Sequence, residues 1–192
     1  IIPTAIVATG VAAAQAVAGA ANLTINGTLA TAGVATLDVP RAVGILSTNV
    51  GDTTQTATVY GTDTYGVVTA ETIAFNGTTP VSGKKAFKTV TRVAVSASMT
   101  GNATVATTDV FGLPYRADNR GTVLTAWDSA FVTTGTFAAS VTTNPATATT
   151  GDVRGTYNVP SAADAAKILY VWQFIANEET NDGAYGIDQY GG

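Results

Sequence analysis

Between Gly33 and Tyr115 the chain repeats one pattern. Apolar and β-branched residues alternate with Thr or another small polar residue, and each run closes on Gly, Asn or Asp. Strict alternation turns one face of a run inward and the other outward, the mark of a half-buried strand. Strands are predicted over 34–47, 55–61, 67–75, 86–97 and 102–107, with a first one in 22–29, where Asn26-Gly27 is a turn signal. Further strands are predicted over 122–127, 130–140, 154–159 and 168–175. Pro40 cannot donate to a ladder, so its strand lies at an edge or bends there. In 86–97 the phase slips: Phe87 is odd, Val90 even, and Val93 and Val95 odd again, which predicts a bulge near Thr91. The run ILYVWQFI at 168–175 is apolar on both faces except at Gln173. It is either a central strand buried on two sides or a strand with one face at an interface. Ser161 to Asp164 matches a capping box and predicts one helical turn through Lys167. Short strands with regular turn signals define the expected fold class: all-β, an antiparallel β-sandwich of jelly-roll-like form with an extended N-terminal arm.

Residues 1–21 stand apart, being uncharged and rich in Ala. Val11 to Ala18 reads as two turns of a helix that is marginal alone. The segment is either a first strand packed in the core or an apolar arm laid on a neighbour. Its Gly and Ala spacing suits a strand poorly and favours the arm. The expected organisation is therefore an arm over 1–21 and one sandwich domain over 22–192, with an acidic, Gly-rich, exposed tail from Asn177.

Composition narrows the chemistry. The chain has no His and no Cys, which removes the commonest general base, the thiol nucleophile, disulfides and the usual zinc ligands. Charged residues make up 11%, against about 25% in ordinary domains, so the surface is polar yet easily desolvated. Net charge is −4, and only Lys84, Lys85 and Lys88 cluster, so no basic stripe marks a nucleic-acid partner. No apolar run approaches the roughly 18 residues of a membrane-spanning helix. No basic region precedes the apolar start, so no signal peptide is expected.

Each catalytic reading meets a plainer one. Loop 77–85 has the flavour of a phosphate loop, but its glycine spacing is wrong and Lys85 stands where Ser or Thr must hold the metal. The plainer reading is a hairpin loop with two solvated lysines. Glu71, Asp63 and Asp109 could converge as a carboxylate pair, although Glu71 in a Thr-rich strand reads as solvent-facing. Asp182 and Asp188 match no calcium loop, and the Asn-x-Thr triplets at Asn22, Asn26, Asn76 and Asn102 are expected by chance in so Thr-rich a chain. No cofactor and no enzymatic activity are expected. Tyr170, Trp172 and Phe174 read as core anchors, whereas Trp127 is either core or an interface anchor.

The strings GVATLDVPR (33–41), VYGTDTYG (59–66), ETI (71–73), NGTTPVSGKKAFKTVT (76–91) and TGNATVATTDVFGLPYR (100–116) resemble a family of small structural proteins of tailed bacteriophages that decorate or cement the capsid. The segment YGIDQYG (185–191) is similar in flavour. The resemblance implies a protein on the outer surface of the virion, made in the bacterial host cytoplasm. Its implied partners are the major capsid protein and further copies of itself, a homotrimer ahead of a homodimer, with no nucleic acid and no membrane. Candidate interface residues are Ile1, Ile2, Pro3, Ile6, Val7, Val11, Trp127, Tyr185 and Tyr190. The rival readings are a secreted or cell-surface adhesin or carbohydrate-binding module, and another virion component such as a tail or spike subunit.

Overall fold

The computed structural model describes residues 1–131, 134–141 and 151–174. In chain order its strands are β1 (Ala12–Ala16), β2 (Ala21–Leu23), β3 (Ala30–Thr31), β4 (Val34–Ser47), β5 (Thr56–Thr62), β6 (Val68–Ala74) and β7 (Val81–Ser82). They continue with β8 (Phe87–Val95), β9 (Asn102–Gly112), β10 (Val123–Trp127), β11 (Ala130–Phe131), β12 (Thr136–Ala138), β13 (Thr156–Asn158) and β14 (Leu169–Gln173). The fold is all-β and antiparallel, as the alternation predicts. Two curled sheets pack in the manner of a sandwich. The larger follows the order β12-β13-β9-β4-β8-β5-β6, with β1 on β9, β2 on β8, and β3 and β7 on β4. The smaller runs β11-β10-β14.

Bulges in β4 and β8 bend the large sheet. Strand β4 pairs with β8 over its first half and with β9 over its second, and the register shifts on either side of Pro40. The proline therefore sits at a bend in a central strand, where its missing N–H leaves no gap in a ladder. On β8, Tyr60 faces Arg92 while Gly61 faces Val90, so Thr91 is the extra residue at the bulge its phase predicts. Gly61 is required here because a Cβ at this point would collide with the Thr89 carbonyl oxygen.

Curling separates two cores. Leu37, Ile45, Val59, Phe87, Val93 and Val105 fill the large sheet. Phe111, Leu113, Tyr157, Trp127 and Leu169 fill the space between β9, β13 and the small sheet. Both clusters are continuous buried apolar volumes, the main favourable term in folding.

The N-terminal segment corrects two expectations. Val11 to Ala18 is not helical; β1 pairs with Ala103 and Val105 of β9. Nor is 1–21 an arm throughout, because Val11, Ala12 and Val17 lie in the large core. Ala supplies little periodic contrast, so tertiary packing decides the conformation where propensity does not. Upstream of Val11 the chain lies along the surface and is held at fixed points. Thr4 donates to Asp38 through both N–H (2.7 Å) and Oγ1 (3.0 Å), and the buried Arg41 guanidinium donates to the Thr4 carbonyl at 3.0 Å. Burial lowers the Arg41 pKa, with Asp38 and Asp109 opposing. A further correction falls at 161–167. The Asp164 Oδ1 accepts from the N–H groups of Ala166 (3.0 Å) and Lys167 (2.9 Å), yet no helix follows, because Ala165 takes a left-handed φ of 66°.

Glu71 and Lys85, expected in solvent, are both buried. The Glu71 carboxylate accepts from the Lys84 and Lys85 backbone N–H groups at 2.6 and 3.0 Å. A Cβ on Gly83 would lie within 2.5 Å of it, which explains the glycine in this loop. Burial pushes the Glu71 pKa up to about 7, against the pull of those amides and of the Lys85 charge and with a further push from Asp152. The sign follows. The unfolded chain gives up this proton near the ordinary 4.5, while the folded protein keeps it to about 7. The Glu71 contribution to stability is therefore full below pH 4.5 and is lost as pH rises to about 7. In urea titrations across that window, Glu71→Gln is expected to abolish this part of the fall in midpoint. An unchanged slope in the variant would show that Glu71 does not carry it.

Candidate functional site: an aromatic sheet face

The small sheet has two unlike faces. Strand β10 pairs with β14 so that Leu124 meets Trp172 and Ala126 meets Tyr170, and β11 brings Phe131 opposite Ala126. Residues one step along point the other way. Val123, Trp127 and Leu169 turn inward, and Trp127 donates from Nε1 to Ser161 Oγ at 2.8 Å. The β10–β11 connection is a two-residue turn at Asp128 and Ser129 with φ of 52° and 69°, the twist that suits a tight hairpin.

The outer face is aromatic and open. Leu124 is 45% exposed, Phe131 72%, Tyr170 43%, Trp172 44% and Phe174 67%. The Tyr170 and Trp172 rings stack with centroids 5.7 Å apart and 14° between planes, and Phe131 lies 5.8 Å from Trp172 at 33°. None of these side chains carries a charge. Scattered apolar residues on a surface are ordinary, but a contiguous group of this kind marks an interaction site. The rings already support one another, so a partner would freeze little side-chain freedom on docking.

The N-terminal run borders this sheet. The Ile1 ammonium donates to the Leu169 carbonyl at 2.8 Å and the Leu169 N–H donates back to the Ile1 carbonyl at 2.8 Å. The Ala165 N–H donates to the Pro3 carbonyl at 3.0 Å. Ile1, Ile2 and Ile6 are each about half exposed, at 50, 54 and 51%. Ile1 sits at a shallow cleft of about 280 Å³ with Leu169, Val171 and Pro114, and Ile6 at one of about 420 Å³ with Pro80 and Val110.

The sequence candidates thus divide. Ile1, Ile2 and Ile6 are on the surface, Val7 is half-buried and Pro3 is buried. Val11 and Trp127 are core residues and are withdrawn as interface candidates. Tyr185 and Tyr190 lie outside the described residues. Tyr170, Trp172 and Phe174, expected in the core, form the exposed face instead. The signal was present: 168–175 is apolar on both faces, and an interface on one of them was one of its two readings.

Among the described residues, the acidic candidates Glu71, Asp63 and Asp109 do not assemble an open site. Glu71 is sequestered as described, and Asp63 is buried in an ion pair with Arg154. Asp109 accepts from the Ala163 N–H at 3.2 Å, a neighbour of the small core. Among the described residues no group of three or more Asp and Glu side chains converges to hold a metal ion. Comparison with protein-family models, with curated proteins and with solved structures finds no match for this chain.

Proposed function

We propose that this chain is a structural virion protein that decorates and stabilises the capsid of a tailed bacteriophage, bound to the outside of the major capsid protein lattice. The observation that carries this reading is the open, uncharged aromatic face on a charge-poor β scaffold, next to a surface run that exposes Ile1, Ile2 and Ile6. It is supported by the resemblance of segments 33–41, 59–66, 76–91 and 100–116 to capsid-decorating proteins. Such a protein acts by burying surface across the seams between shell subunits. Each contact is modest, but a lattice presents many at once, and their combined effect resists the outward pressure of packaged DNA. The protein is expected to act as a homo-oligomer, a trimer ahead of a dimer.

The test is its copy number in purified particles of the source virus, by quantitative mass spectrometry against the major shell protein. A ratio near one to one is expected. A few copies per particle would move it to the portal, tail or spikes. Absence from the particle would favour the second reading, a cell-surface or carbohydrate-binding module, because stacked rings such as Tyr170 and Trp172 also suit the apolar faces of sugars.

A further inference from the structure

We infer that the aromatic face of the small sheet is a self-association surface on which a second copy of this chain packs. The inference takes from the proposed function only that this face is an interface, and it needs no shell.

Size is the first argument. Aromatic side chains bring about 150–250 Å² each. At the exposures given above, Leu124, Phe131, Tyr170, Trp172 and Phe174 offer on the order of 500 Å² per protomer. Two copies meeting face to face bury about 1,000 Å² through these side chains alone, the floor for a specific interface. Charge is the second argument. None of the five side chains is ionised, so a second copy brings equally neutral groups against them and none of these strands a charge on contact. Interfaces between identical subunits are the more apolar class, whereas partners that meet after separate lives in water keep more polar faces.

The outer edge of β14 is partly covered by the chain itself. Leu169 is paired with Ile1, and the Gln173 side chain exchanges two hydrogen bonds with the Tyr115 backbone, at 2.8 and 3.0 Å. The Ile1 run covers the β14 edge at Leu169, and the exposed rings stand on the sheet face, so the contact inferred is face-to-face packing of small sheets, about 10 Å apart.

The test uses the full chain alone in solution. Sedimentation velocity up to about 100 μM, a range that detects weak contacts, is expected to show a dimer, the closed form of a face that packs on its own copy, in place of the trimer that the resemblance implies. Phe131→Ser with Trp172→Ser is expected to sediment as a monomer, its association weakened at least about tenfold, with an unchanged far-ultraviolet circular dichroism spectrum. Should that double variant fail to fold, Leu124→Lys places a charge on the same face without removing a ring, and it too is expected to be monomeric. The inference is overturned if the wild-type chain is a monomer at the highest concentration, since the face is then covered by residues 175–192 or reserved for another molecule. It is equally overturned if a folded variant keeps the wild-type oligomer. A monomeric protein found at one copy per shell subunit would sink this inference and leave the capsid reading standing; an oligomer absent from particles would do the reverse.

Discussion

Removal of residues 1–21 is expected to leave a chain that does not fold, insoluble on expression and without a β spectrum by circular dichroism. The sequence favours an arm laid on a neighbour here, and the structure shows what the cut would take away. Val11 and Val17 leave the large core, and each buried Val is worth about 1.5–3 kcal/mol. The ladder of β1 on β9 goes with them, which exposes an interior strand edge to other chains. The Gly27 and Leu29 N–H groups lose the carbonyls of Val11 and Gly10, at 3.0 and 2.9 Å. Together these losses reach the scale of the whole stability of a domain, about 5–15 kcal/mol. A cut of residues 1–3 is the control. It removes surface bonds to Ala165 and Leu169 and leaves the large core intact. A soluble, cooperatively unfolding chain that begins at Asn22 would refute the placement of β1.

The second large effect is expected at Arg154. Its guanidinium is buried, paired with Asp63, and lies 4.7 Å from the centre of the Tyr65 ring. Asp63 also accepts from the Tyr65 and Val67 N–H groups at 2.8 and 2.9 Å, so the carboxylate shapes the turn between β5 and β6. Arg154→Met keeps the bulk but leaves Asp63 as a buried charge without its cation, a defect of about 3–5 kcal/mol. The double variant Arg154→Met, Asp63→Asn removes both charges and is expected to be less destabilised than the single one. Urea midpoints read both. A single variant within about 1 kcal/mol of wild type would mean that water reaches this pair and the argument from burial fails.

The alternation of side chains made the strands legible, down to the bulged Thr91, because a step of one residue moves every apolar group to the opposite face. The same signal is silent where both faces are apolar. In 168–175 the odd positions Leu169 and Val171 and the even positions Tyr170, Trp172 and Phe174 are equally good core residues. Only the folded neighbours show that β9 and β13 cover the odd set. Trp172 was placed in the core for this reason. Glu71 and Lys85 were misplaced for a different one. Their burial depends on the chain returning after β7 to present two N–H groups to the carboxylate, a long-range closure with no local mark. In 12–16 four alanines flatten the contrast that alternation needs.

The bond between Ile1 and Leu169 joins residues 168 apart in the chain. That distance sets a clock. A ribosome adds about 5–20 residues per second, so the large core can gather while β14 is still unmade, and the small sheet waits. The aromatic face is completed by this late strand, which Ile1 braces at Leu169. Until β14 is made, Tyr170, Trp172 and Phe174 are missing and Leu124 and Phe131 have no neighbours in the face. On the inference drawn above, two copies can meet through this face only after β14 is in place.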